Sequence, residues 1–260
     1  MNQEALRTEV AHFLEFETQK MIPQLSIDCV IFSFHADKLK VLLLKGINQE
    51  KLNLPSGFIY QDENIDTAAL RNLKERTGLD QVFLQQFHTF GKPTRYFPDQ
   101  LQEAILSLGI DAKKADWLFQ RFVTIGYYAL VNYQQTNPQP SLFSEGFAWE
   151  DVEDLPPLIL DHQALVETAL ETLKKDILTQ PIGLKLLPDN FTIPQFHQLY
   201  EIILQRKIDR RNFRKKMLLS NILIPLNEQK AIKGHRLPNL YRFDEAAYAL
   251  SLSGEVKMGF

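Results

Sequence analysis

Residues 54–79 read LPSGFIYQDENIDTAALRNLKERTGL, and this stretch is the most informative part of the sequence. Gly57 is followed by Glu63 six positions later, by Arg71 eight positions after that and by Gly78 after seven more. The apolar residues between Glu63 and Gly78 recur at helical spacing. Gly78 is suited to end that helix, because glycine takes a positive φ at little cost. We therefore predict a turn, a helix and a second turn.

This spacing resembles the signature of the Nudix superfamily, a strand–loop–helix–loop element whose clustered glutamates can hold a divalent cation against a diphosphate. Asn72 and Arg76 stand where two of those glutamates are expected, and Glu75 remains. An arginine opposes a cation and favours a phosphate or carboxylate. We therefore expect no metal site, no catalytic residue and no cofactor. The alternative is an active Nudix hydrolase, a nucleoside diphosphate pyrophosphatase that uses Mg²⁺.

The regions on both sides of this element predict a mixed sheet with helices. We expect a short helix over 1–20 that Pro23 ends, a hairpin of two strands, two later strands and a long helix that precedes Pro181. The Nudix resemblance implies an α+β fold of α/β/α type for this part. The expected strands and the long helix cover residues 26–34, 39–44, 82–90, 122–132 and 161–178.

Composition limits the class of protein. The chain has 260 residues, of which 45% are apolar, so it can form one large domain or two small ones. No apolar run approaches the ~20 residues of a membrane span, and the N-terminal sequence lacks the pattern of a secretion signal. We expect a cytoplasmic protein without a membrane partner. The single cysteine, Cys29, lies in an apolar run and is predicted to be a core residue.

Charge is distributed unevenly. Residues 181–260 hold 13 Lys and Arg against 7 Asp and Glu, whereas residues 1–180 hold 16 against 25. Such a division suggests two domains with different partners, and the basic part is the one suited to a polyanion. We predict an effector-sensing domain over 1–180 and a DNA-binding domain over 181–260.

Residues 192–243 have the pattern of a winged helix-turn-helix. Thr192 and Asp209 are good N-cap residues for two helices that a tight turn joins. Two strands with a basic loop between them follow and would form the wing. Basic side chains give salt-dependent affinity for phosphates, and Arg or Asn can contact base edges. The predicted DNA-binding residues are Arg210, Arg211, Asn212, Arg214, Lys215, Lys216, His235 and Arg236.

The two halves together resemble the Nudix-related transcriptional regulators. The resemblance rests on segments along most of the chain, among them GYYALVNY, IDRRNFRKKM and GHRLPNLYRFD. It implies a homodimer that binds operator DNA as a repressor and releases it when a sugar or an ADP-ribose-like metabolite binds. A third possibility is a ligand-binding module whose basic tail docks a protein. One departure from the family is an insert over residues 96–120, next to the expected pocket.

Six residues are candidates for effector binding. The basic ones could bind an anionic or hydroxyl-rich ligand, the aromatic ones could stack on a ring, and the acid could accept from ligand hydroxyls. Each also has a structural alternative, as a surface charge, a core residue or an acid at a helix N-terminus. The candidates are Lys45, Phe58, Tyr60, Glu63, Arg76 and Arg95.

Overall fold

A computed structural model describes residues 3–46, 50–78, 82–97, 99–138, 144–229 and 239–252. The chain divides into two compact units. The first comprises Met1–Phe32, Lys40–Ala129 and Thr136–Ala169, and the second comprises Ser33–Leu39, Leu130–Gln135 and Leu170–Phe260.

The helices and strands follow one another along the chain as a mixed set. In chain order they are α1 (Gln3–His12), β1 (Met21–His35), β2 (Lys38–Gly46), β3 (Leu52–Asn53), β4 (Ser56–Tyr60), α2 (Ile65–Thr77), β5 (Phe83–Phe90), α3 (Asp99–Ser107), α4 (Ala112–Phe119), β6 (Val123–Val131), β7 (Ser144–Asp151), α5 (His162–Thr179), β8 (Phe191–Thr192), α6 (Ile193–Leu204), α7 (Arg210–Leu219), β9 (Leu223–Gln229), β10 (Asn239–Phe243) and α8 (Glu245–Leu252).

The larger sheet has seven strands in the order β3-β2-β1-β6-β5, with β4 also paired to β1 and β7 also paired to β2. Residues 26–33 of β1 are buried in succession, as expected for a strand that is covered on both faces. The antiparallel β1–β4 pairing places Asp28 opposite Ser56. The predicted hairpin is confirmed, since Ala36 and Asp37 both have positive φ between β1 and β2, as in a type I′ turn.

Helix α2 confirms the prediction made from residues 54–79. The Asn64 side chain caps its N-terminus by accepting from the Thr67 amide at 2.8 Å. Gly78 ends it with φ of 73°, and the Gly78 amide donates to the Lys74 carbonyl. A side chain at this φ would be strained, so glycine fixes the end of the helix.

The N-terminal region differs from the prediction of one helix over 1–20. Helix α1 continues into a π-helical turn, Phe13–Glu17, and a 3-10 turn, Thr18–Lys20. The sheet begins at Met21, so Pro23 lies within β1 and does not end the helix. Proline is tolerated near the start of a strand, where its missing N–H need not break a ladder bond.

The insert over 96–120 forms α3 and α4 and packs against α1 and the turn that follows it. Residues of α1 and of the following turn share an apolar core with this insert: Val10, Leu14, Leu101, Ile105, Ile110, Ala115 and Leu118. We call α1, the turn Phe13–Glu17, α3 and α4 the helical cap. The Phe122 amide donates to the Arg95 carbonyl at 3.1 Å, so the insert leaves and rejoins the sheet at one place.

The second unit contains a winged helix. Thr192 and Gln195 form a capping box at the start of α6, and Asp209 caps α7 by accepting from the Asn212 amide at 2.7 Å. The two predicted wing strands are β9 and β10. The sequence did not indicate β8, which pairs with β10, or helix α8.

The core of the winged helix is aromatic. Phe213 of α7 packs edge-on against Phe196 and Tyr200 of α6, with ring centroids 5.4 Å and 5.2 Å away. Phe191 of β8 stacks on Phe243 of β10 at 4.5 Å. These contacts join helices and sheet, so the orientation of α7 is fixed by rigid side chains.

Candidate ligand cavity and nucleic-acid interface

A cavity of about 210 Å³ lies in the first unit, between β1, β4, α2, the helical cap and the start of α5. Its charged lining residues are Asp28, Arg71, Glu75, Arg76 and Arg95. Its aromatic lining residues are Phe13, Phe58, Tyr60, Tyr96, Phe97 and Phe122. A cavity with one aromatic wall and several convergent charges is suited to an amphipathic small molecule.

A buried ion-pair network forms one wall. Asp28 is 2% exposed, accepts from the Ser56 hydroxyl and pairs with Nη2 of Arg95. Nε of Arg95 donates to Oδ1 of Asp161 at 3.0 Å. The surface-charge alternative for Arg95 is therefore wrong, because its side chain is buried between two carboxylates that satisfy its charge.

His162 extends this network. Its Nδ1 accepts from the Leu54 amide at 3.0 Å, and its Nε2 lies 3.8 Å from Oδ1 of Asp28. Burial lowers the pKa of His162 despite the nearby Asp28. Burial alone would raise the pKa of Asp28, but the charge of Arg95 and the hydrogen bond from the Ser56 hydroxyl hold it below its usual value. The wall is thus an ionised Asp–Arg pair beside a neutral imidazole.

Glu63 and Arg71 form a clasp between the loop and α2. Arg71 donates to both oxygens of Glu63, at 3.1 Å from Nε and 2.6 Å from Nη2. Glu63 also accepts from the Tyr60 amide at 2.8 Å, and Nη2 of Arg71 donates to the Phe58 carbonyl at 2.8 Å. The carboxylate of Glu63 is engaged in holding the loop and does not line the cavity.

Asn72 and Arg76 lie on the face of α2 that lines the cavity. Asn72 is 2% exposed and packs against Gly57 so closely that a Cβ at position 57 would overlap its amide oxygen. Nη2 of Arg76 donates to the Ser56 carbonyl at 3.2 Å, and its Nε is buried without a hydrogen-bond partner. Burial lowers the pKa of Arg76.

A divalent cation does not fit these side chains. Of the acids on this element, Glu63 is bonded to Arg71, and Glu75 lies 3.3 Å from the same guanidinium. An amide and a second arginine, at Asn72 and Arg76, complete the face. Hard cations need several free oxygen ligands. Within the described ranges, no group of three or more His, Cys, Asp and Glu is placed to hold a metal ion.

The aromatic wall comes from the cap and the adjoining strands. Phe58 contacts Phe13 at 5.8 Å and Phe122 at 5.8 Å between ring centroids. Trp117 of α4 packs edge-on behind Phe58 at 4.9 Å and Phe122 at 5.3 Å. The insert therefore shapes the cavity wall directly.

The structure brings four of the six predicted effector residues to the cavity: Phe58, Tyr60, Arg76 and Arg95. The guanidinium of Arg71 lies over the Tyr60 ring at 4.3 Å, so one face of that ring is already covered. Lys45 lies elsewhere and pairs with Glu145 at 2.9 Å, with both side chains about half exposed. Lys45 and Glu63 are therefore apart from the cavity lining.

Several cavity residues were missed from the sequence. Asp28 had a signal, because a carboxylate within the apolar run SIDCVIF must have a buried partner. His162 had no such signal, because its partners Leu54 and Asp28 lie far away along the chain. Phe13, Phe97 and Phe122 had no local signal, since they meet only when the cap folds.

Helix α7 presents its basic residues outward. Phe213 and Met217 are buried, whereas Arg210, Arg211, Asn212, Arg214 and Lys215 are exposed and Lys216 is half-buried. The turn before α7 is fixed at Ile208, whose amide donates to Glu201 at 3.0 Å and whose carbonyl lies 2.9 Å from Nε2 of His197. The wing candidates His235 and Arg236 lie outside the described residues.

Among the helices that the structure describes, no helix is long and apolar enough to cross a membrane.

Comparison with known proteins identifies two domains in the chain. A NUDIX domain model matches residues 23–170, and a model of the NrtR DNA-binding winged helix domain matches residues 183–243. The chain is 29% identical over 228 residues to the ADPR responsive transcriptional repressor NtrR of Acinetobacter baylyi, covering 85% of this chain and 82% of that protein.

Solved structures agree. Shewanella oneidensis NrtR complexed with a 27mer DNA superimposes with a TM-score of 0.69 at 28% identity, covering 87% of this chain and 96% of that one. A MutT/nudix family protein from Enterococcus faecalis shares the fold, with a TM-score of 0.61 at 20% identity over 91% of this chain and 98% of that one. The chain therefore belongs to the Nudix family and carries an NrtR-type winged helix domain at its C-terminal end.

Proposed function

We propose that this protein is a ligand-responsive transcriptional repressor, whose winged helix binds operator DNA and whose Nudix domain senses a small metabolite. The domain boundary lies near residue 180, and the acting species is a homodimer in the cytoplasm. The observation that carries the proposal is the exposed basic N-terminal half of α7, held on an aromatic core within a domain that matches the NrtR winged helix.

The DNA-binding role is supported by the chemistry of α7. Phe213 and Met217 anchor one face of the helix, so Arg210, Arg211 and Arg214 point away from the core. Guanidinium groups bind phosphate oxygens, and Arg or Asn near the start of a recognition helix can contact base edges. A homodimer would place two such helices about 34–36 Å apart, one turn of the double helix.

The sensing role is supported by the cavity. It lacks a set of free carboxylates for a metal, but it offers buried charges and an aromatic wall. ADP-ribose is the first effector to test because a 29% identical relative is an ADPR responsive repressor. Arabinose and xylose represent the sugar alternative. Release of DNA requires that the effector bind the DNA-incompetent conformation more tightly than the DNA-competent one.

The test is an anisotropy titration of the full chain with the DNA immediately upstream of its own gene and of the neighbouring genes. We expect specific binding that weakens steeply with salt and is released by one of the three compounds. Substituting Arg210, Arg211 and Arg214 by Ala should lower the slope of log K against log salt by about 0.9 for each DNA phosphate that these side chains neutralise in the wild type.

The matched control removes three exposed lysines from the other unit, by Lys51→Ala, Lys92→Ala and Lys113→Ala. This control should keep the affinity and the slope of the wild type. If both triple variants lose affinity equally, the basic face of α7 is not the DNA site. If no upstream fragment binds specifically, the repressor proposal fails. Magnesium-dependent turnover of ADP-ribose would then support the hydrolase alternative.

A further inference from the structure

The cavity contains three arginines whose charges are satisfied to different degrees. Arg71 is bonded to Glu63, to Glu75 and to the Phe58 carbonyl. Arg95 lies between Asp28 and Asp161. Both guanidinium groups therefore have carboxylate partners within the protein, and neither needs a ligand to compensate its charge.

Arg76 is different. Within the described part of the chain, its one hydrogen bond is from Nη2 to the Ser56 carbonyl at 3.2 Å, a neutral acceptor. Its Nε is buried with no partner, although a guanidinium has five N–H donors. Arg76 is half-buried and, unlike Arg71 and Arg95, makes no hydrogen bond to a carboxylate among the described residues. A partly desolvated cation of this kind is stabilised when an anion binds it.

We propose that Arg76 is the anion-binding residue of the cavity, so that a phosphate or carboxylate of the ligand binds there directly and without a divalent cation. This inference rests on the proposed role of the cavity as the effector site. The Nudix signature has a glutamate at this position, where it helps to hold a cation that binds the diphosphate of the substrate. An arginine at the same place can bind the anion itself.

The rest of the cavity indicates the remainder of the ligand. Phe13, Phe58 and Phe122 form an aromatic wall in the same cavity, and stacking on aromatic rings favours a flat apolar group. The chemical class is therefore a compound that joins a phosphate or carboxylate to a ring. A neutral sugar would leave Arg76 uncompensated and should bind weakly.

The test is calorimetric titration of the full chain with inorganic pyrophosphate and with ADP-ribose, each in excess EDTA and again in Mg²⁺. To remove competing anion binding by α7, all proteins carry the Arg210→Ala, Arg211→Ala and Arg214→Ala background. For the parent protein, we expect the affinity for ADP-ribose to change less than twofold between EDTA and Mg²⁺. The apparent affinity for pyrophosphate should not rise in Mg²⁺, because Mg²⁺ complexes free pyrophosphate in solution. Arg76→Gln should weaken both ligands at least tenfold in EDTA.

Three further variants separate charge from folding. Arg76→Lys should recover part of the affinity, Arg76→Glu should lose it, and Lys92→Gln, at an exposed position, should leave it unchanged. Equal affinity of Arg76→Gln and its parent, a requirement for Mg²⁺, or no pyrophosphate binding by the parent would each overturn the inference. The proposed function is tested separately, because release of DNA by ADP-ribose does not depend on the pyrophosphate result.

Discussion

At the scale of single residues, the buried Asp28–Arg95 pair defines the geometry of one cavity wall. Both side chains are buried, and Asp161 and Ser56 supply further partners to them. Such a network stabilises one geometry, because removing Asp28 would leave Arg95 with one carboxylate and removing Arg95 would leave two carboxylates without their cation. The wall is thus already arranged before a ligand arrives.

His162 makes stability depend on pH. Burial lowers its pKa below the usual value of 6.5, so the folded protein keeps the imidazole neutral while the unfolded chain takes up a proton below pH 6.5. The unfolded state then binds more protons, and stability falls as pH falls, by up to about 1.4 kcal/mol per pH unit. The loss should begin near pH 6.5. The pKa of Asp28 lies below its usual 3.8, so Asp28 contributes only at lower pH.

The measurement is urea unfolding between pH 7.5 and 4.5, for the wild type and for His162→Asn. The asparagine can still accept from the Leu54 amide, which bonds to Nδ1 of His162, but it does not titrate. Subtracting the two curves removes the contribution of the other histidines. A difference that is constant across the range would contradict a neutral buried His162.

At the scale of elements, helices whose ends are set by neighbouring residues could be predicted from the sequence. Strands that exist because a distant strand pairs with them could not. The N-cap residues Thr192 and Asp209 and the αL residue Gly78 are set by neighbouring residues, so the starts of α6 and α7 and the end of α2 could be predicted. Strand β8 has only two residues and exists because β10 pairs with it.

The candidate site shows the same division. Arg76 was recognised because it occupies a position in a known pattern. The network that joins Asp28, Arg95 and Asp161 was not, because these residues are 67 and 66 positions apart along the chain and meet only in the folded sheet. Glu63 fits the Nudix signature equally well, but its carboxylate accepts hydrogen bonds from Arg71 and does not line the cavity.

The helical cap gives an element-scale prediction. Leu118 and Ile105 are both 2% exposed in its core, but only Leu118 also lines the cavity. Leu118→Ala and Ile105→Ala should each cost about 2–5 kcal/mol of stability by leaving a void. Only Leu118→Ala should also change the affinity for ADP-ribose in calorimetry at a temperature where both variants are folded. Equal effects on binding would mean that the cap acts only through stability.

At the scale of the whole molecule, the two binding activities are thermodynamically linked. If ADP-ribose weakens DNA binding by a given factor, then DNA must weaken ADP-ribose binding by the same factor. We expect both factors to agree when anisotropy with DNA and calorimetry with ADP-ribose are each repeated in the presence of the other ligand. A DNA fragment without the operator is the control. Unequal factors would mean that the two ligands do not act on one two-state equilibrium.

The contact between Asn72 and Gly57 limits which side chains position 72 can hold. Asn72 and Arg76 are one helical turn apart on α2, beside Arg71. A glutamate at position 72 alone would lie beside both guanidinium groups and form ion pairs with them. A glutamate, the residue of the Nudix signature, would also be one methylene longer than Asn72, whose amide already packs against Gly57. A cation site on this face of α2 would therefore need changes at both positions 72 and 76, because either change alone leaves a carboxylate paired with an arginine.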